Sequence, residues 1–416
     1  MARIDRRRLL KLSGAGALAA SSGNLAAILA SSQAPAYAQG TELHWLRWSD
    51  FIPASDQLLK EQIVPQCAKA LGIKLNIETV NANDIQKRIT AAIQEGAGPD
   101  IFYMIGNWPQ LYIRSLSDVT DVAEEIGNAQ GGYYDVSGLV ANDGTKWIGV
   151  PWNVVGVLVT YRKSWFAEIG YSDGKFPQTW DEYREAGKKL KAKGWPFGQS
   201  LGHTWGDPPS FWYPYLWSWG SKEVEYDGKT VVLNNKATVE SVKFAVDLWK
   251  DAHDEGAIDW DDSGNNKAFL KGTISATNNG ASIYVEAKRK PDNYLTERGT
   301  PLWQDTLHAP LPKGAGGQFN LPIPCTNGLM SYSKNQTSAG LIPRRFTANG
   351  LRPSKDIAVE RQRIGRRTRC GASTQSCCRF AISRTNPACP GFQDRLVPLR
   401  LPPSPITLSP KCMRKP

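Results

Sequence analysis

Histidine and cysteine are scarce in the first 340 residues of this 416-residue chain. That stretch holds four scattered histidines and two of the seven cysteines: His44, His203, His253, His308, Cys67 and Cys325. It contains no H-E-x-x-H and no C-x-x-C, so the zinc-protease and thiol-redox classes lack their characteristic residues. No serine-hydrolase elbow is expected either. We therefore expect no catalytic residue, no metal and no cofactor, and we leave a disulfide between the two cysteines open because sequence fixes no geometry.

The N-terminal segment lacks the run of about 18 strongly apolar residues that a membrane-spanning helix needs. Arg6-Arg7-Arg8-Leu9-Leu10-Lys11 is followed by a segment rich in Ala, Ser and Gly that continues to about Ala30. Ala36-Tyr37-Ala38 has the A-x-A pattern of a cleavage site. Residues 1–38 are therefore predicted to be a twin-arginine signal peptide, cleaved near Ala38, and the chain is expected to be exported.

The last 76 residues, 341–416, contain no Trp, Tyr or His. They carry 13 Arg, three Lys and three acids, a net charge of +13, whereas the whole chain has +11. The preceding 340 residues therefore have a net charge of −2 and hold all 15 Trp and all 14 Tyr. The five cysteines of the tail, C-x6-C-C-x10-C and one more, do not match the close ligand pairs of a zinc site.

Two interpretations of this tail remain open. It is either a basic arm for nucleic acid or a membrane surface, or the out-of-frame translation of a GC-rich gene. We favour the second, because Ser333 to Ala339 looks like the start of a helix and Gly340-Leu341-Ile342-Pro343 then interrupts the expected amphipathic pattern. The tail 341–416 is accordingly predicted to be out of frame and disordered, and no nucleic-acid partner is expected.

The residues that follow the signal peptide show the pattern of an α/β fold. Strands are predicted at Leu43–Trp48, Lys74–Val80 and Ile101–Ile105, with helices at Pro53–Leu71 and Asp84–Glu95 between them. This alternation is the signature of a parallel sheet with right-handed crossovers. Three further helices are predicted: Thr179–Lys193, Lys236–His253 with Val239, Val242, Ala245, Val246 and Trp249 on one stripe, and Asn265–Lys271.

A series of local motifs follows between Gly98 and Asp181. Gly98-Pro99-Asp100 leads into the strand Ile101–Ile105, and Asp143 to Lys146 signals a tight turn between two extended segments. Gly149-Val150-Pro151-Trp152 then enters a long strand ending Tyr161-Arg162-Lys163. Thr179 and Glu182 form a capping box after Pro177. In this order the motifs resemble the bacterial extracellular solute-binding proteins of ABC importers, of the sugar-binding type that includes maltose-binding protein.

The resemblance covers roughly residues 41–339 and implies an α/β, two-lobed periplasmic-binding-protein fold with a hinge between the lobes. It implies an N-terminal lobe formed by 39–150 and 322–340 and a C-terminal lobe formed by 151–321. The chain would cross between lobes near Val150–Val154 and return near Asn320–Thr326. The resemblance also implies that a third crossing and the closing helices are missing or replaced after residue 340.

The resemblance implies a periplasmic, monomeric, non-enzymatic protein that binds a sugar and works with ABC permease subunits. Sugars have an apolar C–H face that an indole can cover, and they have hydroxyls that can donate hydrogen bonds to the side-chain oxygens of Asp and Asn. Strand ends and the lobe crossing are the places where such a cleft binds ligands. The stretches His203–Pro209 and Phe211–Tyr213 are also predicted to form a rigid, aromatic loop. The candidate ligand-binding residues there are Trp48, Asp50, Asn107, Trp108, Trp152, Asn153, Trp205, Asp207 and Trp212. Other tryptophans are expected to pack in the core or hinge: one of Trp45 and Trp48, and Trp147, Trp165, Trp180, Trp195 and Trp249.

Other functions are kept as alternatives. A polyamine or other amino-containing solute would be held in a cage of Asp50, Asp207 and Trp faces. A secreted carbohydrate-active enzyme would need two carboxylates about 5 to 10 Å apart, and the sequence offers no convincing pair. Asp259 to Gly264 copies the first half of a calcium loop, but Leu270 occupies the position of the bidentate Glu. We interpret that stretch as a solvated acidic helix cap.

Overall fold

The computed structural model describes residues 40–348 of the chain. The predicted signal peptide and residues 349–416 of the predicted tail lie outside the described residues. The described chain divides into two compact units. Unit 1 extends to Asn153 and resumes at Cys325, and unit 2 comprises Val154–Pro324.

Unit 1 alternates strands and helices along its first 70 residues. Its elements in chain order are β1 (Glu42–Trp48), α1 (Pro53–Leu58), a π-helical turn (Leu59–Ile63), α2 (Val64–Leu71), β2 (Lys74–Val80), α3 (Ala82–Glu95), β3 (Ile101–Ile105), α4 (Trp108–Leu111), a 3-10 turn (Ile113–Ser115), α5 (Thr120–Gln130), α6 (Asp135–Ala141), β4 (Val150–Val155), β8 (Ile323–Leu329) and α14 (Gln336–Ala348). Strand β4 continues past Asn153 into unit 2, and β8 begins two residues before Cys325.

The sheet of unit 1 has the strand order β2-β1-β3-β8-β4. Strand β1 pairs in parallel with β2 and β3, and β3 pairs antiparallel with β8. All five residues of β3 are buried, as expected for an apolar central strand covered on both faces. The predicted β–α–β–α–β order is confirmed, and the strand at Lys74–Val80 has the predicted bounds.

Helix α3 shows how the sequence specifies its own ends. The Asn81 side chain accepts a hydrogen bond from the Asn83 amide at the N-terminus. Gly96 ends the helix with φ of 62°, a left-handed conformation that favours glycine. Ile85 and Ile89 lie four residues apart and are fully buried, so the predicted apolar stripe faces the core.

Asp100, which follows Gly98-Pro99, connects three parts of unit 1. One carboxylate oxygen accepts from the His44 amide at 2.8 Å, and the other accepts from the Ser333 hydroxyl and, at 3.3 Å, from the Asn335 amide nitrogen. Ser333 and Asn335 immediately precede α14. The aspartate therefore joins β1 and the start of the last described helix to the beginning of β3.

Helix α14 continues through the predicted start of the tail. It begins at Gln336, contains Pro343 and ends at Ala348, so residues 341–348 are helical rather than irregular. Ala339 and Ile342 are buried in the same core cluster as Val122 and Ile126 of α5. The predicted boundary at residue 341 is therefore not the end of a secondary-structure element, because the helix still buries apolar side chains beyond it.

Unit 2 is built around a small antiparallel sheet. Its elements in chain order are β5 (Leu158–Arg162), α7 (Lys163–Glu168), α8 (Trp180–Ala192), α9 (Asp207–Ser218), α10 (Lys236–Ala252), a 3-10 turn (Glu255–Asp259), α11 (Gly264–Leu270), β6 (Ala276–Asn279), α12 (Ser282–Arg289), α13 (Leu302–Asp305) and β7 (Thr306–Ala309). Strand β5 is central and pairs antiparallel with β6 and β7. A core rich in aromatic side chains lies against this sheet.

The capping box predicted before α8 is confirmed. The Glu182 amide donates to Thr179 Oγ1 at 3.2 Å, and Glu182 Oε2 accepts from the Gln178 amide at 2.6 Å. Three of the predicted packing tryptophans are also confirmed. Trp165 and Trp180 are buried, and Trp195 stacks on Trp165 with 4.6 Å between ring centroids.

Three sequence predictions are wrong in unit 2 and at its entrance. The long strand predicted to end at Arg162-Lys163 is two strands, β4 and β5, separated by Gly156-Val157. The stretch from Phe211 to Tyr213, predicted as a rigid loop, belongs to helix α9. Helix α10 leaves Val239, Val242 and Val246 between 40 and 52 % exposed, because Ser241, Leu248 and Ala252 form its buried face.

The turn at Asp143–Lys146 in unit 1 differs in its surroundings from the prediction. Asp143 Oδ1 accepts from the amides of Thr145 and Lys146, so the tight turn is confirmed. Helix α6 precedes it, however, and only an isolated antiparallel bridge joins Asn142 to Trp147. Among the helices of residues 40–348, none is long and apolar enough to cross a membrane.

Candidate functional site

Unit 1 brings two predicted site residues together at the end of β1. Trp48 is half-buried and meets the ring of Tyr103 edge to face, with 4.9 Å between centroids. The Tyr103 hydroxyl donates to Asn153 Oδ1 at 2.7 Å. An indole and an amide thus contact the same tyrosine, and aromatic rings together with hydrogen-bonding groups are what a sugar ring requires. We call Arg47, Trp48, Asp50, Tyr103 and Asn153 the strand-end cluster.

Arg47 is a member of the cluster that the sequence did not reveal. Its side chain is only 3 % exposed, and its guanidinium carbon lies 5.2 Å from the Tyr103 ring centroid and 5.3 Å from that of Trp45. These distances place the cation within cation–π range of both rings. The carboxylates of Asp50 and Asp56 lie 3.8 Å from its nitrogens, while its Nε and Nη1 atoms are buried without a hydrogen bond. Two acids therefore surround one buried cation.

Tyr103 is held as a neutral hydrogen-bond donor. Burial raises its pKa well above the ordinary value, and the neighbouring Cys325 thiol acts in the same direction, against the nearby Arg47 cation. The hydroxyl therefore keeps its proton at neutral pH and can donate to Asn153. Since Cys325 lies on β8 and Asn153 on β4, one tyrosine hydroxyl lies near two neighbouring strands.

Asp50 has a defined local role in the turn after β1. Its Oδ1 accepts from the Ile52 amide at 2.8 Å, and its own amide donates to Asp56 Oδ2 at 2.8 Å. The side chain is 28 % exposed. The residue therefore shapes the loop, and its partly exposed carboxylate also remains a candidate polar contact.

The other predicted residues of unit 1 differ in accessibility. Asn107 is half-buried at the N-terminus of α4 and its side chain makes no capping hydrogen bond. Trp152 is partly buried and packs edge to face on Trp45, with 5.8 Å between centroids. Trp108 is only 1 % exposed, so its indole presents no face to a solute in this structure. Burial favours a packing role for Trp108 over the predicted ligand contact.

Trp45 and Trp48 separate as the sequence suggested. Trp45 is 1 % exposed and belongs to the core cluster of unit 1, whereas Trp48 remains half-buried. One of the two is therefore core, as predicted.

In unit 2, Asp207 lies within a buried polar network. It is 8 % exposed and its carboxylate accepts from the side-chain amide of Asn265, which also donates to Thr277 at 3.1 Å. Burial raises the pKa of Asp207 well above its ordinary value, and the nearby Asp262 carboxylate adds to the rise. Asp207, a predicted ligand contact, is in this structure a member of that buried network.

Asp262 caps the N-terminus of helix α9. Its two carboxylate oxygens accept from the amides of Gly206 and Asp207, at 3.0 and 2.8 Å. Asp262 is only 7 % exposed, so the stretch Asp259–Gly264 supplies a buried helix cap rather than the solvated one expected. No cluster of three or more metal-ligating side chains occurs within residues 40–348.

Trp205 and Trp212 lie on either side of the start of α9. Trp205 is half-buried in the loop before the helix. Trp212 is partly buried on the aromatic core, edge to face with Phe211 at 4.8 Å and with Tyr215 at 5.4 Å. Part of each indole is exposed, so both remain candidates for solute contact.

Although no serine-hydrolase elbow was expected, Ser200 in unit 2 lies within a sequence that matches the elbow pattern. Gly198-Gln199-Ser200-Leu201-Gly202 reads G-x-S-x-G. Ser200 is fully buried and the next helix begins only at Asp207. A nucleophile elbow requires an exposed serine on a strand-to-helix turn, so this motif does not build one.

No disulfide joins Cys67 and Cys325, the two cysteines of the described chain, both of which are buried.

A groove of about 370 Å³ on unit 1 is lined by residues of α3 and the segment after α4, including Thr90, Tyr112 and Arg114. None of the predicted site residues lines that groove.

Two α/β units connected by strands β4 and β8 are the arrangement found in two-lobed periplasmic binding proteins. The fold is similar to that of maltose-bound MalE3 of T. maritima, with a TM-score of 0.61 and 20 % identity over 74 % of this chain and 78 % of that one. It is also similar to an ABC transporter solute-binding protein of Agrobacterium vitis S4 with bound D-mannitol, with a TM-score of 0.63 and 18 % identity over 76 % of this chain and 75 % of that one. These likenesses establish the two-lobed α/β fold of periplasmic binding proteins, as predicted.

The sequence comparison establishes the family. Residues 62–329 match the family of bacterial extracellular solute-binding proteins, and the chain belongs to that family. The sn-glycerol-3-phosphate-binding periplasmic protein of Brucella abortus (strain 2308) is 30 % identical over 246 residues, 52 % of this chain and 52 % of that protein. The diacetylchitobiose binding protein of Streptomyces coelicolor is 30 % identical over 112 residues, 26 % of this chain and 25 % of that protein. The chain thus spans about half or less of the length of these relatives, which are named as binding proteins rather than enzymes.

Proposed function

We propose that this protein is the solute-binding component of an ABC importer, that it captures a sugar, polyol or short oligosaccharide, and that it delivers this solute to the permease subunits. Family membership supports solute binding. The ligands named for its relatives and structural neighbours, which include diacetylchitobiose, glycerol 3-phosphate, maltose and mannitol, support a carbohydrate or polyol.

The strand-end cluster is the observation that carries this proposal. Trp48 offers a half-buried indole, and covering about 100 Å² of its apolar face would contribute about 2 to 3 kcal/mol. Asn153 and the partly exposed Asp50 supply oxygens that can accept from sugar hydroxyls. Two or three such contacts are enough for micromolar affinity after the costs of ordering.

The proposed mechanism is hinge closure. A solute bound to one unit makes additional contacts with the other in the closed form, and those contacts shift the equilibrium between open and closed states. Trp48 in unit 1 and Trp205 and Trp212 in unit 2 are the proposed stacking residues. In this proposal the protein acts as a monomer and performs no catalysis.

The proposed location is the periplasm. The twin-arginine pattern and the A-x-A sequence ending at Ala38 support export with cleavage, in keeping with an extracellular solute-binding family. The mature chain would then begin near Gln39.

The rival ligand class is a polyamine or other amino-containing solute. A cation cage needs open carboxylates beside aromatic faces. Asp207 is 8 % exposed and already accepts from Asn265, so one of the two acids of that cage is occupied. The family match favours solute binding over the alternative of a secreted carbohydrate-active enzyme.

Tryptophan fluorescence tests the proposal. Addition of the right sugar to the purified protein should quench the emission of Trp48 or of the tryptophans around α9. The same titration with Trp48→Phe separates the contribution of unit 1. Absence of any change with mono- and disaccharides, polyols and glycerol 3-phosphate, together with a saturable change on adding spermidine, would replace the sugar proposal by the cationic one.

A further inference from the structure

Tyr103 connects three features of unit 1 that the proposed function needs to act together. Its ring packs edge to face with that of Trp48, with 4.9 Å between centroids. Its hydroxyl donates to Asn153, the last residue of unit 1 before the chain enters unit 2. Its side chain also neighbours Cys325, the first residue of unit 1 after the chain returns.

Sheet geometry explains how one side chain reaches both crossing strands. In the order β3-β8-β4, strand β8 lies between the strand of Tyr103 and that of Asn153. Tyr103 is opposite Asn327 in the β3–β8 register, and Ile105 is opposite Cys325. The Tyr103 side chain is therefore placed over β8, and its hydroxyl extends beyond it to β4.

Burial makes Tyr103 unable to serve as the solute contact itself. Its side chain is 3 % exposed, and Arg47 and Trp48 lie against its ring. A solute that stacks on Trp48 would act on Tyr103 through the indole. Because proteins are closely packed, a small shift of one ring is transmitted to its neighbours rather than absorbed.

We propose that Tyr103 is a positioning residue that links Trp48 to both strands through which the chain leaves and re-enters unit 1, so that solute contact at Trp48 restricts the motion of those strands. The identity of the solute rests on the proposed function. The link itself is a property of the unliganded protein and can be tested without a solute.

Amide hydrogen exchange on the full chain provides that test. Tyr103→Phe keeps the ring and removes the hydroxyl. Peptides covering Val150–Val155 and Ile323–Leu329 should both exchange about three- to tenfold faster, as expected for the loss of one buried hydrogen bond. The matched control is Tyr133→Phe, which removes a hydroxyl bonded to the Ala123 carbonyl at 2.8 Å in the same unit and should leave both peptides unchanged.

The role of Trp48 is tested by a double-mutant cycle. Trp48→Ala alone should also accelerate exchange in both peptides, and it should add little in the Tyr103→Phe background, because coupled neighbours are not additive. If Tyr103→Phe does not fold, Asn153→Ala removes the acceptor instead and should accelerate the Val150–Val155 peptide. Acceleration of only one peptide by Tyr103→Phe, additive effects in the cycle, or equal effects of Tyr133→Phe would overturn the proposal.

Solute experiments separate this proposal from the proposed function. Maltose, mannitol and glycerol 3-phosphate are the probes, and one that binds should slow exchange of both peptides in the wild type and less in Tyr103→Phe. If no probe binds while the two peptides still respond to Tyr103→Phe, the ligand class is wrong and the positioning role stands. If a probe binds and protects both peptides equally in wild type and variant, the positioning role is wrong and the ligand class stands.

Discussion

The indole of Trp48 meets the ring of Tyr103 at 86°, with 4.9 Å between centroids. Trp48 is half-buried while Tyr103 is 3 % exposed, so a buried tyrosine supports an indole that remains partly exposed. This arrangement supports a stacking surface whose geometry is set before a solute arrives.

Replacement of Trp48 by alanine is therefore predicted to weaken binding of the cognate sugar. Loss of one stacked face should cost about 1.5 to 3 kcal/mol, or roughly ten- to a hundredfold in affinity. Isothermal titration calorimetry measures the change. An affinity within about twofold of the wild type would show that Trp48 does not contact the solute.

Trp180 is predicted to affect stability and leave solute affinity unchanged. It is 4 % exposed, and its Nε1 donates to Ser218 Oγ at 2.7 Å. Trp180→Phe loses that hydrogen bond and part of the packing, which should lower the free energy of unfolding by about 1 to 3 kcal/mol. Denaturant unfolding measures the loss. A large fall in affinity with unchanged stability would assign this residue to the site.

Acid should destabilise unit 2 through His253. Burial lowers the pKa of His253 to about 3, and the Lys191 charge acts in the same direction. The unfolded state binds its proton near pH 6.5, so the unfolded state holds more protons between these values. Stability present above about pH 6.5 is therefore lost as pH falls, at up to about 1.4 kcal/mol per pH unit.

His253→Phe should flatten the loss of stability at acid pH, because a phenyl ring does not titrate. The phenyl ring should also retain the stacking on Trp249, whose ring centroid lies 5.2 Å from that of His253. Chemical denaturation between pH 4 and 7 reports the slope. His203→Gln, at an exposed loop position, is the control. An unchanged acid slope in His253→Phe would show that the folded protein accommodates the charged imidazole.

Asp207 is predicted to have the opposite pH dependence. Burial raises its pKa in the folded state above the unfolded value near 3.8. Above that pH the folded state therefore holds more protons than the unfolded state does. Stability is therefore lost with rising pH. Asp207→Asn keeps an acceptor for Asn265 and should flatten the dependence above pH 4 without loss of stability at pH 7.

Asp227→Asn is the matched control. Hydrogen bonds from the Thr230 side chain and backbone lower the pKa of Asp227 to about 2, so its contribution is present above about pH 4 and is lost toward pH 2. This variant should lower stability at neutral pH and leave the slope above pH 4 unchanged. Strong destabilisation of Asp207→Asn at pH 7 would mean that the network requires a charged carboxylate.

The out-of-frame interpretation of residues 341–416 is a prediction about DNA. Reading the gene in its other two frames beyond the codons near Ala339 should restore an amphipathic ending with balanced charge. A frame-corrected protein should also unfold at a higher temperature, since the closing helices would cover apolar surface. If neither frame gives such an ending, or if both chains melt alike, the interpretation is wrong. Because helix α14 continues to Ala348, the translations of the three reading frames should be compared beyond that residue as well.

Local sequence signals predicted the regular elements of unit 1 well. The alternation in Lys74–Val80 and the apolar run Ile101–Ile105 each specify a strand without help from distant residues. Helix α9 was missed because Pro208-Pro209 and the aromatic run resembled a rigid loop. Proline is in fact favourable in the first turn of a helix, where its missing amide is not needed, and the cap comes from Asp262, 55 residues away from Asp207.

The candidate site could be predicted only in part, because accessibility depends on tertiary packing. Trp48 ends one predicted strand and Trp108 comes shortly after another, yet Trp48 is half-buried and Trp108 is only 1 % exposed. Arg47 carries no local signal of burial, since a charged residue within a strand usually faces water. Its place between the Trp45 and Tyr103 rings arises from the pairing of β1 with β3.

Calorimetric titration with a panel of carbohydrates and polyols, with polyamines and amino acids as the opposing set, decides the class of ligand. The proposed sugar-binding function predicts saturable heat at micromolar concentration from at least one sugar or polyol, weakened by Trp48→Ala and unchanged by Trp180→Phe. Silence from every carbohydrate and polyol, with saturable heat from a polyamine or an amino acid, would contradict it.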